Sequence, residues 1–166
     1  MNFVACVKRV PDTASKIRVG QDGRTMDPAG VTYVVNPYDE FAVEECLRLK
    51  EKHGGTVTVL SVGPADSSKE LRHCLAMGAD RAVLVKDDQL QRDPLSTAMA
   101  LAEALKQIPH DVVFFGKQAV DHDNAQVGLL VATLLDLPAV AEVVKVDLGT
   151  GNATVQREAE GKLEVF

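Results

Sequence analysis

The chain has 166 residues, of which 46% are hydrophobic and 25% charged; these values are typical of a globular domain and exclude a disordered or collagen-like chain. Lysine and arginine number 18 against 24 aspartates and glutamates, and the net charge of −6 does not supply the basic surface that nucleic-acid binding requires. Aromatic residues reach only 4%, too few to stack single-stranded nucleic acid or to enclose a flavin or haem unaided.

The predicted elements alternate between strands and helices. In order they are a strand at 3–7, a β-excursion at 10–35 with a type I′ hairpin turn at Asp22-Gly23, a helix from Asn36-Pro37 to Gly54-Gly55, a strand at 56–62, a helix from Ser67 to Met77, a strand at 81–85, a helix from Asp93-Pro94 to about 107, a strand at 111–115, a polar loop at 117–123, a helix at about 124–135, and strands at 140–148, 153–158 and from 163. Asn36, Ser67 and Asp93 are the expected N-caps. This alternation predicts a Rossmann-like α/β fold: a doubly wound, mainly parallel sheet with a small N-terminal β-excursion and a C-terminal β-hairpin, in one domain over 1–166.

The N-terminus and the cysteines favour a cytoplasmic chain. The apolar run at 3–7 precedes Lys8 and Arg9, the reverse of the order in a signal peptide, and we expect no targeting signal and no membrane span. The cysteines are odd in number and form no CxxC pair, which favours free, buried thiols over zinc or redox sites; they are Cys6, Cys46 and Cys74.

One loop is the best candidate for a ligand site. An open parallel sheet binds ligands at the carboxyl ends of its strands, and the loop at 116–128 follows the strand at 111–115. Its small residues and free backbone N–H groups at a helix start predict an anion site suited to a nucleotide phosphate. Ordinary capping by Asp123 or Asn124 explains the same residues equally well at this stage. The sequence contains neither GxGxxG nor GxxxxGK[ST], the standard nucleotide fingerprints.

Catalytic and metal-binding patterns are weak. The histidines lack metal-ligand spacing, and Asp121-His122-Asp123 resembles a metal cluster only superficially. There is no GxSxG nucleophile motif. Carboxylates at helix starts, among them Asp39, are explained by the helix dipole. We therefore predict no catalytic residue and no metal site.

Four segments carry a family resemblance in a fixed order. They are residues 7–13 (VKRVPDT), 36–45 (NPYDEFAVEE), 76–81 (AMGADR) and 116–128 (GKQAVDHDNAQVG). Together they resemble the β subunit of electron transfer flavoproteins, over essentially the whole chain.

The resemblance implies a non-catalytic subunit of an αβ heterodimer. Such a protein carries electrons in fatty acid oxidation from acyl-CoA and other flavin dehydrogenases to a quinone oxidoreductase, and its redox FAD is held chiefly by the α subunit. The β subunit buries a structural AMP or, in electron-bifurcating relatives, a second FAD, and AMP is the favoured guest here. The implied nucleotide contacts are Cys6, Asn36, Val62, Ala119, Asp121, Asp123, Asn124, Gln126, Val127 and Gly128. The implied flavin-facing positions are Thr13 and Tyr38.

Three points stay open at this stage. Family members extend beyond the last residue of this chain, so the resemblance implies that their C-terminal region is missing here. A universal-stress-type nucleotide-sensing domain would need a late glycine-rich phosphate motif, and only Gly149 and Gly151 lie in that region. An adenylating enzyme would need a phosphate loop after the first strand, where residues 8–11 contain no glycine.

Overall fold

A four-stranded parallel sheet forms the centre of the fold. The computed structural model describes residues 1–88 and 92–166. Its elements are β1 (Asn2–Cys6), β2 (Arg9–Pro11), β3 (Tyr33–Val35), α1 (Pro37–His53), β4 (Thr56–Gly63), a 3-10 turn (Ala65–Ser67), α2 (Ser68–Met77), β5 (Arg81–Lys86), α3 (Pro94–Leu105), β6 (Val112–Phe115), α4 (Val127–Leu134), β7 (Val143–Leu148), β8 (Ala153–Ala159) and β9 (Lys162–Val165).

The strand order of the central sheet is β5-β4-β1-β6, and all neighbouring pairs are parallel. Ala5 of β1 lies level with Val59 of β4 on one side and with Phe114 of β6 on the other. The chain thus starts in the middle of the sheet, runs to one edge, and returns to the other side of β1. The point between β1 and β6 is where such a sheet opens a crevice at its carboxyl edge. The predicted doubly wound α/β fold is confirmed.

Helices cover both faces of the sheet, which is why β1 is apolar at every core position. Phe3 and Ala5 point to one face, whose core is completed by residues of α1 and α2: Val43, Cys46, Leu49, Leu71 and Cys74. Val4 and Cys6 point to the opposite face, which is completed by residues of α3 and α4: Ala98, Leu101, Leu105 and Val131. Burial of both faces is the arrangement that a continuous apolar strand predicts.

The N-terminal β-excursion is confirmed, but its pairing differs in detail from the prediction. β2 pairs with β3 in antiparallel register, while the segment around Asp22-Gly23 contributes an isolated bridge between Val19 and Met26. Gly23 has a φ of 67°, but Asp22 is not left-handed, so the turn is not type I′. The Asp22 carboxylate instead accepts hydrogen bonds from the backbone N–H groups of Arg24 and Thr25.

A second sheet, β7-β8-β9, follows α4 and is antiparallel. Val146 and Leu148 of β7 are buried against the same core as α1. The predicted C-terminal hairpin is confirmed, and the residues from Lys162 onward form a third strand beside it.

Local capping decides where the helix predictions are wrong. α4 begins at Val127 rather than at 124, because Asp123 and Ala125 have φ of 52° and 50°, which no right-handed helix accommodates. Ser67 does not cap α2, because a 3-10 turn leads into the helix and gives Ser67 helical angles. Asp93 does cap α3, and its carboxylate accepts a 2.6 Å hydrogen bond from the backbone N–H of Ser96.

Candidate functional site at the edge between β1 and β6

The first turn of α1 joins the loops that follow β1 and β6. The Asp39 carboxylate accepts one hydrogen bond from the backbone N–H of Lys8 (2.7 Å) and another from that of Gly116 (3.2 Å). Gly116 lies so close to the helix that an added Cβ would be 2.6 Å from the backbone carbon of Tyr38. The loop after β6 therefore packs against the backbone of α1, and the Asp39 side chain joins both to the end of β1.

Asn36 shapes the loop after β6 rather than capping α1. Its side chain makes no capping hydrogen bond and is 0% exposed. The side-chain N–H₂ donates to the carbonyl of Gln118 at 2.8 Å, and the side-chain oxygen accepts from the backbone N–H of Val120 at 3.1 Å. The predicted cap is wrong because tertiary contacts with the loop occupy both polar atoms of the amide.

The acidic side chains of the loop are engaged by neighbours. The Lys8 ammonium lies 2.6 Å from the Asp121 carboxylate, whose side chain is 17% exposed. Partial burial raises the pKa of Asp121, but the hydrogen bond and charge of Lys8 outweigh it, so the pKa lies below its usual value. Asp123 accepts a 2.8 Å hydrogen bond from the Gln118 amide. These contacts reduce the electrostatic repulsion between the two carboxylates and an anion bound at the loop.

The backbone beyond Asp123 presents unpaired donors. Among the residues that the structure describes, no protein group accepts a hydrogen bond from the backbone N–H groups of Asn124, Ala125 or Gln126, and those of the first turn of α4 have no intrahelical partner. The left-handed angles of Asp123 and Ala125 set the direction of these amides. Gly128 brings the helix start against β6, since an added Cβ would lie 3.1 Å from the Phe115 ring. The arrangement suits an anion such as phosphate.

Asp39 is a further buried polar residue at this edge, and the sequence did not single it out. The side chain is 6% exposed, and burial raises the pKa of its carboxyl to about 7, against the hydrogen bonds from the backbone N–H groups of Lys8 and Gly116, which lower it. An acid in the first turn of a helix is favoured by the helix dipole, so the sequence alone explained Asp39 by that dipole. Only its contacts with two distant loops distinguish it from such an acid.

Most of the predicted contact residues line one large, open groove that reaches from this edge to β7 and β8, so the groove by itself does not bring them together: Cys6, Thr13, Tyr38, Val62, Ala119, Asp121, Asn124, Gln126, Val127 and Gly128. Asn36 is buried behind the loop, and Asp123 is exposed on it. Cys6 is 4% exposed at the end of β1, and burial raises the pKa of its thiol. Tyr38 is 36% exposed, and Thr13 is exposed in the turn after β2.

Other chemical features are few. The three thiols are free and buried. Within residues 1–88 and 92–166, no group of three or more histidine, cysteine or acidic side chains is arranged to hold a metal ion. In the same ranges, every helix is too short or too polar to cross a membrane.

Comparisons with known proteins identify the relatives of the chain. The family model described as "Electron transfer flavoprotein domain" matches residues 24–165. Protein FixA of Sinorhizobium fredii is 44% identical over 100% of the chain and 61% of its own length. The electron transfer flavoprotein subunit beta of Thermoanaerobacterium thermosaccharolyticum is 42% identical over 100% of the chain and 64% of its own length. The protein of the same name from Bacillus subtilis is 39% identical over 99% and 64%, respectively. The chain therefore spans less than two thirds of the length of these relatives.

Proposed function

The chain belongs to the electron transfer flavoprotein family, with the β subunits and FixA proteins as relatives, and on this premise we propose that it is a non-catalytic electron-carrier subunit that binds AMP between β1 and β6. It pairs with an α subunit that holds the redox FAD. Its electron donors are acyl-CoA and other flavin dehydrogenases, and its acceptor is a quinone oxidoreductase. The chain itself contributes binding and placement rather than a reaction step.

The run of unpaired backbone N–H groups from Asn124 into the first turn of α4 carries the proposal. A phosphate monoester would suit these donors, because unpaired backbone amides at the positive end of a helix dipole attract an anion. Lys8 neutralises Asp121 at the rim of the same loop. The ends of β1 and β4 add small apolar lining through Cys6 and Val62. AMP in this role stabilises the folded subunit by mass action and does not turn over.

The flavin, when bound, supplies the electron chemistry, and this chain supplies surface and electrostatics. Thr13 and Tyr38 line the groove on the side of the β-excursion, where they form the surface offered to the flavin of the α subunit. The chain has only 2 tyrosines and 5 phenylalanines, so it depends on its partner to enclose the isoalloxazine ring. None of these roles needs an acid, a base or a nucleophile from this chain.

The nucleotide is identified by extraction and by selective binding. Purified protein is denatured, the released nucleotide is identified by mass, and the stripped chain is titrated with AMP and with adenosine. We expect AMP in the extract, and adenosine to bind at least about 100-fold more weakly, because it lacks the anion that the amides hold. Equal affinity for AMP and adenosine, or no nucleotide in the extract and no AMP binding, contradicts the proposal.

The electron-bifurcating alternative is separated by the visible spectrum of the complex with the α subunit. One flavin together with one AMP per heterodimer supports the AMP-binding carrier. Two flavins per heterodimer and no AMP show that a second FAD occupies the site. Absence of a complex with any α subunit contradicts the heterodimer.

A further inference from the structure

Asp39 is a buried carboxylate that connects two strand ends. Its side chain comes from α1, and each of its oxygens accepts a backbone N–H from a different loop, Oδ2 from Lys8 and Oδ1 from Gly116. Lys8 lies just beyond β1 and Gly116 directly after β6, the two strands that border the crevice. Asp39 therefore fixes the width of the sheet edge at the position where the loop at 116–128 begins.

An ionised carboxylate at this buried position lowers the stability of the fold. Burial raises the pKa of Asp39 to about 7 from 3.8, so between these values the folded chain retains a proton that the unfolded chain releases. Stability therefore falls as the pH rises from about 4 to about 7, and the loss is complete above that. The titratable groups that face Asp39 are Lys8 and Cys6 at the end of β1 and Cys74 on α2. The positive charge of Lys8 is shared with Asp121 and offsets the cost only in part.

A neutral side chain of the same shape cannot replace the carboxylate. Asparagine offers one acceptor oxygen, and its N–H₂ group would face the second backbone N–H, donor against donor. An ionised aspartate is thus the short side chain that can accept both amides at once. A group retained at a cost to stability is expected where its geometry serves binding.

We infer that Asp39 is a positioning residue for the bound nucleotide: by holding Lys8 and Gly116 together, it sets the loop at 116–128 so that its free amides converge on the phosphate. The inference rests on the proposed function. Asn36 and Lys8 act on the same loop further along, at Val120 and Asp121. Asp39 holds the loop at its first residue, Gly116.

The test compares Asp39→Asn with Glu51→Gln in the full chain. Glu51 is exposed on the same helix, so its substitution removes the same charge without touching the loops. AMP affinity is measured by calorimetry at about pH 8, and unfolding in urea is followed from about pH 5 to about pH 8. We expect Asp39→Asn to weaken AMP binding by at least about tenfold, since one of the two amides loses its acceptor, and Glu51→Gln to bind AMP like the wild type.

The unfolding data test whether Asp39 is a buried charge, and the AMP affinity tests whether it positions the loop. Relative to wild type, Asp39→Asn should gain about tenfold in the folding equilibrium constant for each pH unit from about pH 5 to about pH 7. Weaker AMP binding together with this relative gain supports the inference. Asp39→Asn with wild-type AMP affinity overturns it and leaves the proposed function intact. Failure of the wild type to bind AMP overturns the proposed function instead.

Hydrogen exchange keeps the inference testable if Asp39→Asn does not fold. In the wild type, the amide of Gly116 should lose protection between about pH 8 and about pH 6, after correction for intrinsic exchange, while the amide of Val59 in β4 should not. Unchanged protection of Gly116 across this range contradicts the role of the ionised Asp39 carboxylate in holding this amide.

Discussion

Replacement of Asn36 by alanine removes the side chain that supports the loop after β6. Asn36 is 0% exposed, and its amide makes hydrogen bonds of 2.8 Å to the carbonyl of Gln118 and 3.1 Å from the N–H of Val120. Each backbone group left without a buried partner costs about 1–3 kcal/mol. Because this loop is only partly buried, water reaches part of it, and we expect the two unpaired backbone groups together to lower the free energy of unfolding by about 2–4 kcal/mol. For a chain of this size the loss lowers the melting temperature by about 5–15 °C.

The assay is thermal and urea unfolding of the nucleotide-free chain, followed by titration with AMP. Asn152→Ala is the matched control, because Asn152 is exposed in the turn between β7 and β8 and should change stability by less than about 0.5 kcal/mol. Asn36→Ala should also weaken AMP binding, since Val120 precedes the free amides of the loop. A stability loss below about 0.5 kcal/mol with unchanged AMP affinity would refute the role assigned to Asn36.

Three further predictions follow from the packing of the site. Gly116→Ala should lower the free energy of unfolding by about 3 kcal/mol, because the added Cβ would lie 2.6 Å from the backbone carbon of Tyr38 in α1. Gly30→Ala is the control: Gly30 lies in open space at a φ of 75°, and its substitution should cost about 1 kcal/mol. Equal losses in urea unfolding would contradict the close approach of Gly116 to α1. A double-mutant cycle of Lys8→Met and Asp121→Asn should give a coupling energy of about 1 kcal/mol or less, because the Lys8 side chain is 45% exposed. This coupling energy should shrink with added salt, and a coupling energy insensitive to salt argues against the ion pair. The folded chain should react with a thiol reagent at about pH 8 far more slowly than the urea-unfolded chain, because burial raises the pKa of every thiol. Rapid labelling of the folded chain would contradict the burial of Cys6, Cys46 and Cys74.

Local patterns predicted the elements whose signals are themselves local. The apolar run of β1, the Asp93 cap with Pro94, and the glycines after α1 each depend on neighbours in sequence, and the structure has a strand, a capped helix start and a helix end at these places. Asn36 and Ser67 satisfy the same capping rules but do not cap, because the rules do not record competing contacts. The predicted start of α4 is wrong for a related reason: the left-handed angles of Asp123 and Ala125 belong to a loop that Asn36 supports from the start of α1.

The sequence by itself determined the alternation of strands and helices, and with it the doubly wound sheet and the edge at which a ligand site belongs. It also carried, through four ordered segments, the family to which the chain belongs. Only the tertiary structure decided how that edge is built. The hydrogen bonds between Asn36 and residues 118 and 120, and those that Lys8 and Gly116 donate to Asp39, join positions separated by 31 to 84 residues. No local pattern specifies such pairs, because they exist only once α1 has packed against the ends of β1 and β6.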